Sequence, residues 1–242
     1  MADKAMLFDL DGTLLAIDTE AFIRRYMKRL GEYTAAIIDP DVLVTSLWTA
    51  TKHVIADEDA ATTNAQVFEE VFLKLCNLSR DEIWPSIDRF YEEEFPLLRE
   101  DIQPHPATAK VVEEAKRQGY KLVIATNAVF PEAAIMERMK WAGIDASSFD
   151  WVTVFENSHF CKPNPKYYEE ICEQIGMKPE QCIMIGNDMQ QDMVASEIGM
   201  RTFFVTDYKI DRGAPQYRVD ASGTLDQFGE QLTSRSGIFS VR

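Results

Sequence analysis

The sequence FDLDGTLL, residues 8–15, places two acids and a Gly-Thr turn directly after a segment of buried type. The apolar residues Ala5–Phe8 predict a strand in the interior of a sheet. A carboxylate at the end of such a strand costs free energy unless another group compensates it. Asp9 and Asp11 therefore require compensating groups from elsewhere in the chain.

Short apolar segments recur along the sequence, each closed by polar or small residues: 5–12, 120–127, 151–157, 181–188 and 200–207. Such continuous, short segments are typical of buried parallel strands. Helical patterns accompany the last four of them, at 106–118, 131–142, 165–175 and 188–198. The alternation predicts an α/β fold with a Rossmann-like parallel sheet flanked by helices.

The interval 17–96 has a different character. It has no convincing strand pattern, and its apolar residues recur at helical spacing in four separate stretches. We therefore predict an α-helical cap domain over residues 17–96, inserted after the first strand. Residues 1–16 and 97–242 would form the α/β core domain.

Polar side chains follow four of the predicted strands. In an open parallel sheet, ligands bind outside the carboxyl ends of the strands. One edge of the sheet should therefore gather several carboxylates, a hydroxyl group and an ammonium group. The residues concerned are Asp9, Asp11, Thr126, Asn127, Lys162, Asp188 and Asp192.

This combination of side chains indicates a particular chemistry. Three acids brought together cannot all be charged without a cation, and Mg²⁺ prefers a few carboxylates together with water and phosphate oxygens. Thr126, the backbone N–H groups at 126–127 and Lys162 are suited to hold a phosphate. A metal that bridges a phosphate beside a free carboxylate predicts phosphoryl transfer.

The order and spacing of these motifs resemble the haloacid dehalogenase superfamily, in particular its phosphatases, over nearly the whole chain. The superfamily has a DxDGT motif, a Ser or Thr that ends a strand, a Lys commonly followed by Pro, and a GDxxxD motif or a close variant. The matching residues are Asp9-Leu10-Asp11-Gly12-Thr13, Thr126, Lys162-Pro163, and Gly186-Asn187-Asp188 with Asp192.

The resemblance implies a catalytic role for each matching residue. Asp9 would attack phosphorus and form an aspartyl-phosphate. Asp11 would protonate the leaving group and then deprotonate the hydrolytic water. Lys162 would neutralise the nucleophile and the phosphoryl oxygens, and Thr126 with Asn127 would bind the phosphate.

The resemblance also implies Mg²⁺ as the cofactor. Its expected ligands are the Asp9 carboxylate, the Asp11 backbone carbonyl and Asp188. Asp192 would orient the metal's surroundings, bind the metal itself, or hold Lys162. Because Asn187 stands between Gly186 and Asp188, the sequence leaves open which acid of this motif contacts the metal.

Several alternatives remain open at this point. Dehalogenation of 2-haloacids is disfavoured by Asp11, because a halide leaving group needs no proton. A phosphomutase, a phosphonate hydrolase or a non-catalytic regulatory protein with the same fold stay possible. The expected partner is a small phosphorylated metabolite that the sequence does not identify, and His159 is a candidate for contact with it.

Composition narrows the class of partner. The net charge of −15 and the pI of about 4.6 disfavour binding to nucleic acid or anionic lipid. No uncharged apolar segment approaches the length of a membrane span, and the N-terminus has no signal-peptide pattern. The four cysteines lack C-x-x-C spacing, which indicates buried thiols in a reducing compartment. We expect a cytoplasmic protein, and its oligomeric state is open.

Overall fold

The computed structural model describes residues 4–99 and 102–239. In this part of the chain, six parallel strands form one sheet in the order β5-β4-β1-β6-β7-β8. The predicted α/β class with a parallel sheet is confirmed. The strands are β1 (Ala5–Phe8), β4 (Lys121–Ile124), β5 (Trp151–Val152), β6 (Cys182–Gly186), β7 (Arg201–Val205) and β8 (Ala221–Gly223), and a separate two-stranded antiparallel sheet contains β2 (Leu15–Ala16) and β3 (Gln103–Pro104).

Strand β1 occupies the middle of the sheet and fixes the position of the acids that follow it. All four of its residues are buried. Phe8 is in register with Ile124 of β4 and with Ile185 of β6. The Asp9 amide continues this ladder by donating to the Ile185 carbonyl at 2.9 Å. The carboxyl ends of β1, β4 and β6 therefore lie side by side.

Helices cover both faces of the sheet, and each packs an apolar stripe against it. Met6 and Phe8 belong to one buried cluster with the apolar residues of α5, α6 and α8, whereas Ala5 and Leu7 pack with those of α7 on the other face. The alternation of side chains along β1 thus divides the core in two. These helices are α5 (Thr108–Arg117), α6 (Glu132–Trp141), α7 (Pro165–Ile175) and α8 (Leu225–Ser234).

One predicted helix is different in the structure. The sequence indicates a helix over 188–198, but the chain there forms turns followed by a short 3-10 helix, Met193–Ile198. The turns arise because the Asp188 carboxylate accepts the backbone amides of Gln190 and Gln191, both at 3.0 Å. A side chain that bonds to backbone amides in this way competes with helical hydrogen bonds.

Residues 17–96, all of which the structure describes, contain four α-helices and no strand. The helices start at favourable residues, such as the capping box of Thr63 and Gln66 at the start of α3. This segment also packs on the rest of the chain, because the Phe22 ring lies 5.9 Å from Trp141 of α6. Its status as a separate domain stays a prediction. The helices are α1 (Thr19–Thr34), α2 (Pro40–Ala56), α3 (Asn64–Cys76) and α4 (Arg80–Glu93).

None of the helices within the described ranges is both long enough and apolar enough to span a membrane.

Candidate active site

The turn after β1 presents Asp9 at the edge of the sheet. Gly12 has φ +81°, and a Cβ atom there would lie 2.3 Å from Nδ2 of Asn187. Glycine is therefore required both by the backbone conformation and by the close approach of the loop after β6. The Thr13 hydroxyl lies 3.3 Å from Asp9 Oδ2 and 3.1 Å from Asn187 Oδ1, which ties the two loops together.

Lys162 is the cation that compensates Asp9. Its Nζ donates to Asp9 Oδ1 at 2.8 Å and to Asp192 Oδ1 at 2.5 Å. Burial by itself would lower the pKa of this ammonium group, but the charges of Asp192 and Asp9 outweigh burial and raise its pKa well above the usual value. The lysine therefore keeps its charge although only 1% of its surface is exposed.

Asp192 is fixed on the far side of Lys162. Its Oδ2 accepts the Asp188 amide at 2.9 Å, and a Cβ atom on Gly186 would lie 2.2 Å from this oxygen. Glycine at 186 thus leaves the space that the carboxylate occupies. Burial raises the pKa of Asp192 to about 7, although Lys162 opposes this shift. Of the roles considered for Asp192, its contacts match the one that holds Lys162.

Asp11 pairs with a residue that sequence reasoning missed. Arg138 of α6 is 1% exposed, and its Nη1 donates to Asp11 Oδ2. Burial raises the pKa of the Asp11 carboxyl group, the Arg138 charge opposes this, and the Asp9 charge adds to it. Asp11 Oδ1 and Arg138 Nη2 are both buried, and neither has a hydrogen-bond partner within residues 4–99 and 102–239. A donor and an acceptor are thus free at this edge of the sheet.

Asp188 is also paired with an arginine that sequence reasoning missed. Nη1 of Arg212 lies 2.8 Å from both oxygens of the Asp188 carboxylate. The neighbouring Asn187 donates from Nδ2 to the Tyr208 carbonyl at 2.6 Å, which holds the loop that carries Arg212 against the end of β6. The side chain of Arg212 is 52% exposed, so this cation can leave without a large rearrangement of the core.

The structure brings the end of β4 next to the Lys162 loop. The Thr126 carbonyl accepts the hydroxyl groups of Thr153 and Tyr167, both at 2.7 Å. Asn127 Oδ1 accepts the Lys162 backbone amide at 3.1 Å. The predicted phosphate-binding residues are therefore held in place by backbone and side-chain bonds, and their role toward phosphate stays a prediction.

His159 has a partner on α7 instead of one among these acids. Its Nδ1 lies 2.5 Å from Glu170 Oε1, and its backbone amide donates to the same carboxylate at 3.1 Å. Contact between His159 and a substrate stays untested.

The arrangement explains how the acids after β1 and β6 are tolerated. Each carboxylate of the site has a cation of the chain as its partner: Asp9 and Asp192 share Lys162, Asp11 pairs with Arg138, and Asp188 pairs with Arg212. These pairs satisfy the requirement that buried charges be compensated.

The predicted metal ligands can be compared with these pairs. Across the described ranges, no three His, Cys, Asp or Glu side chains are grouped so as to hold a metal ion. The predicted set needs only two carboxylates, Asp9 and Asp188, with the Asp11 carbonyl, and oxygen donors of this kind fit Mg²⁺. The two carboxylates follow neighbouring strands, so the residues fit the ion by donor chemistry. The set stays a prediction.

The family to which the chain belongs can now be stated. Residues 4–197 match the family model described as haloacid dehalogenase-like hydrolase, so the protein belongs to this family of hydrolases.

Similar proteins include phosphatases. The chain is 31% identical over 117 residues to the glyceraldehyde 3-phosphate phosphatase of Methanothermobacter thermautotrophicus, and the match covers 48% of this chain and 49% of that protein. It thus spans about half the length of this relative. It is 23% identical over 206 residues to the pyrophosphatase PpaX of Bacillus cereus, with 85% and 84% covered.

A solved structure shows the same fold with a different named activity. The 2-haloacid dehalogenase of Pseudomonas syringae pv. Tomato superposes with a TM-score of 0.64 at 21% identity, and the match covers 96% of this chain and 99% of that one. Likeness at this level of identity concerns the fold alone.

Proposed function

We propose that this protein is a Mg²⁺-dependent phosphatase that hydrolyses a small phosphorylated metabolite through an aspartyl-phosphate on Asp9. The observation that carries the proposal is the buried ion pair of Asp9 and Lys162 at the end of the central strand, with Nζ 2.8 Å from Oδ1. A nucleophilic carboxylate needs a fixed position and a nearby positive charge for the phosphoryl oxygens.

Each step can be assigned to residues of this chain. An Asp9 oxygen forms a bond to phosphorus while the bond from phosphorus to the leaving oxygen breaks. Asp11 gives its proton to that oxygen, and burial favours the protonated form that this step needs. Asp11 then takes a proton from the water that attacks the aspartyl-phosphate. Lys162, held by Asp192, keeps positive charge beside the phosphoryl oxygens throughout.

Mg²⁺ bound by Asp9, the Asp11 carbonyl and Asp188 would supply further positive charge beside the phosphate. Arg212 now pairs its own positive charge with Asp188, and its exposed side chain would have to move before this carboxylate could bind a metal. The proposal also includes Thr126 and Asn127 as phosphate-binding residues, because both lie at the same edge as Asp9.

Asp11 favours phosphate ester hydrolysis over dehalogenation on this fold. Cleavage of a carbon–halogen bond releases a halide, which needs no proton, so a buried acid beside the nucleophile would have no task in that reaction. Phosphomutase and phosphonate hydrolase activities use the same nucleophile and stay alternatives.

The test is phosphate release from p-nitrophenyl phosphate, glyceraldehyde 3-phosphate and pyrophosphate by the purified protein with Mg²⁺ present. Chloride release from 2-chloropropionate is measured in parallel, and Asp9→Asn serves as the control. We expect phosphate release that is lost in the control and no chloride release. Chloride release without phosphate release would contradict the proposal.

A further inference from the structure

A cavity of about 620 Å³ lies between the helices of 17–96 and the segments that follow β4 and β5. Its volume is in the range of pockets for drug-sized molecules. Aromatic rings form much of its wall, contributed by Tyr26, Trp48, Phe68, Trp84, Tyr91 and Phe130.

The cavity is one side chain away from Asp11. Phe130 lines it, and the Phe130 ring centroid lies 4.5 Å from Cζ of Arg138. Arg138 in turn donates to Asp11. A molecule whose reacting oxygen meets Asp11 would therefore have its organic part directed toward this cavity, on the Phe130 side.

Two pairs of polar groups in the wall are hydrogen-bonded to each other. The Tyr26 and Tyr91 hydroxyl groups are 2.8 Å apart and form one hydrogen bond. The Glu156 carboxylate accepts the Glu132 backbone amide at 3.0 Å. The wall therefore offers apolar surface to a ligand more than it offers hydrogen bonds.

The charge of the wall has a single sign. Asp88, Glu92, Glu132 and Glu156 line the cavity, whereas its lining in the described part of the chain includes no Lys, Arg or His. Two cations stack on rings of the wall, Arg80 on Trp84 and Arg138 on Phe130, and they pair with Glu69 and Asp11. A second anionic group on a substrate would meet four acids in this lining.

We infer that the substrate is an organic phosphate whose organic part is bulky, largely apolar and either uncharged or positively charged. This inference rests on the proposed function, since it assigns a substrate class to the same site. Aromatic walls and acids together favour an ammonium group, which interacts with ring faces as well as with carboxylates. The inference disfavours phosphates that carry a second phosphate or a carboxylate.

The test compares three aryl phosphates that differ in the charge at the far end of a two-carbon chain. They are the phosphate esters of tyramine, of 4-ethylphenol and of 3-(4-hydroxyphenyl)propanoic acid, which bear an ammonium group, no charge and a carboxylate. The two methylene groups insulate the phenol oxygen, so the three leaving groups are nearly equivalent. Differences in kcat/KM therefore report the surroundings of the far end.

We expect kcat/KM for the carboxylate to be at least about tenfold below that for the uncharged compound, and kcat/KM for the ammonium compound to equal or exceed it. Equal values for all three, or a preference for the carboxylate, would overturn the inference. Lengthening the uncharged alkyl chain should raise kcat/KM by about threefold to fourfold per added methylene until the cavity is filled. A flat series would count against the cavity as the binding site.

Asp88→Lys tests whether the wall carries the selectivity. This residue lines the cavity at an exposed position of α4. We expect the substitution to reduce the preference against the carboxylate by at least about threefold. Glu93→Lys makes the same charge change at an exposed position of α4 that does not line the cavity, and it should leave the preference unchanged. Equal effects of the two variants would place the selectivity elsewhere.

Binding of the three phosphate-free phenols by calorimetry separates the two proposals. If neither these phosphates nor p-nitrophenyl phosphate, glyceraldehyde 3-phosphate and pyrophosphate are hydrolysed, the proposed function fails. The order of the three dissociation constants then still decides the charge preference: tyramine and 4-ethylphenol ahead of the carboxylate supports the inference, and the reverse order overturns it.

Discussion

Arg138→Met should lower the free energy of unfolding, because it breaks the buried ion pair with Asp11. Methionine keeps an unbranched apolar side chain between Phe130 and Phe22, whose rings the guanidinium now faces at 4.5 and 5.8 Å. The substitution therefore removes mainly the charge and its hydrogen bonds. It leaves the Asp11 carboxylate buried without its cation.

The expected loss follows from the burial of the pair. Removing one partner of a buried ion pair typically costs about 3–5 kcal/mol, because the remaining charge is uncompensated. Arg138 is 1% exposed, so solvent screens this pair poorly. With an m-value of about 3 kcal/mol per molar urea, the midpoint of unfolding should fall by about 1 M or more. Urea denaturation followed by circular dichroism measures both quantities.

Arg24→Met is the matched control. Arg24 pairs with Glu20 at 2.8 Å on the surface of α1, where the two side chains are 64% and 86% exposed. Exposed pairs of this kind contribute about 0.5 kcal/mol. If Arg138→Met lost no more stability than Arg24→Met, the buried pair would not be what stabilises Asp11.

The pH dependence of the loss has a definite sign. Burial raises the pKa of Asp11, and Arg138 is the charge that lowers it, so the pKa of Asp11 in Arg138→Met should be higher still. A carboxyl group whose pKa is raised in the folded state binds more protons there than in the unfolded state. Stability then falls as pH rises from the ordinary value of about 3.9 to the folded pKa. The difference in free energy of unfolding between wild type and Arg138→Met should therefore shrink toward pH 4. A difference that grew on acidification would refute the reasoning.

Other substitutions test the site more directly. Asp9→Asn should keep the circular dichroism spectrum and abolish phosphate release, because an amide is a poor nucleophile; activity within about tenfold of wild type would defeat this assignment. Asp11→Asn should lower turnover of an alkyl phosphate by about 10²–10⁴-fold and that of p-nitrophenyl phosphate by less, since p-nitrophenolate needs little protonation. EDTA should abolish phosphate release and Mg²⁺ should restore it. Arg212→Gln should bind Mg²⁺ more tightly in calorimetry, because the variant has no guanidinium group to occupy the Asp188 carboxylate. An unchanged affinity would show that Arg212 does not compete with the metal. Gly186→Ala should lower the free energy of unfolding by about 1–3 kcal/mol in urea, because its methyl group would collide with Asp192.

The strands of the core could be predicted because their signal is local. Apolar segments that are buried on both faces need no information from their neighbours, and β1, β4, β6 and β7 all lie within predicted segments. Strand β8 was not predicted, since Ala221–Gly223 is short and contains two small residues and a Ser. Helix α8 had a usable signal that was overlooked, namely a capping box of Thr224 and Gln227 followed by Phe228 and Leu232 on one face.

The partners of the acids could not be predicted in the same way, because pairing is decided by tertiary contacts. Taken alone, Arg138 is one of several charged residues in a helix. Its spacing from Ile135 and Met139 places it on the buried face. That position is a usable signal, since an arginine on an apolar stripe needs a partner. Arg212 has no such signal, because it lies in an irregular loop 24 residues after Asp188.

The stretch from Thr126 to Trp141 connects the phosphate end of the site with the cavity. Thr126 follows β4 at the edge of the sheet where Asp9 follows β1, Phe130 forms part of the cavity wall, and Arg138 donates to Asp11. Arg138 also faces the Phe130 ring, so a change of side chain at 130 alters the surroundings of the cation that governs Asp11. If Asp11 transfers the proton and the cavity holds the organic part of the substrate, as we propose, this pair of side chains would couple substrate selection to proton transfer. Phe130→Leu should change kcat as well as KM, whereas a substitution at Trp48, whose ring lies at the exposed side of the cavity, should change KM alone.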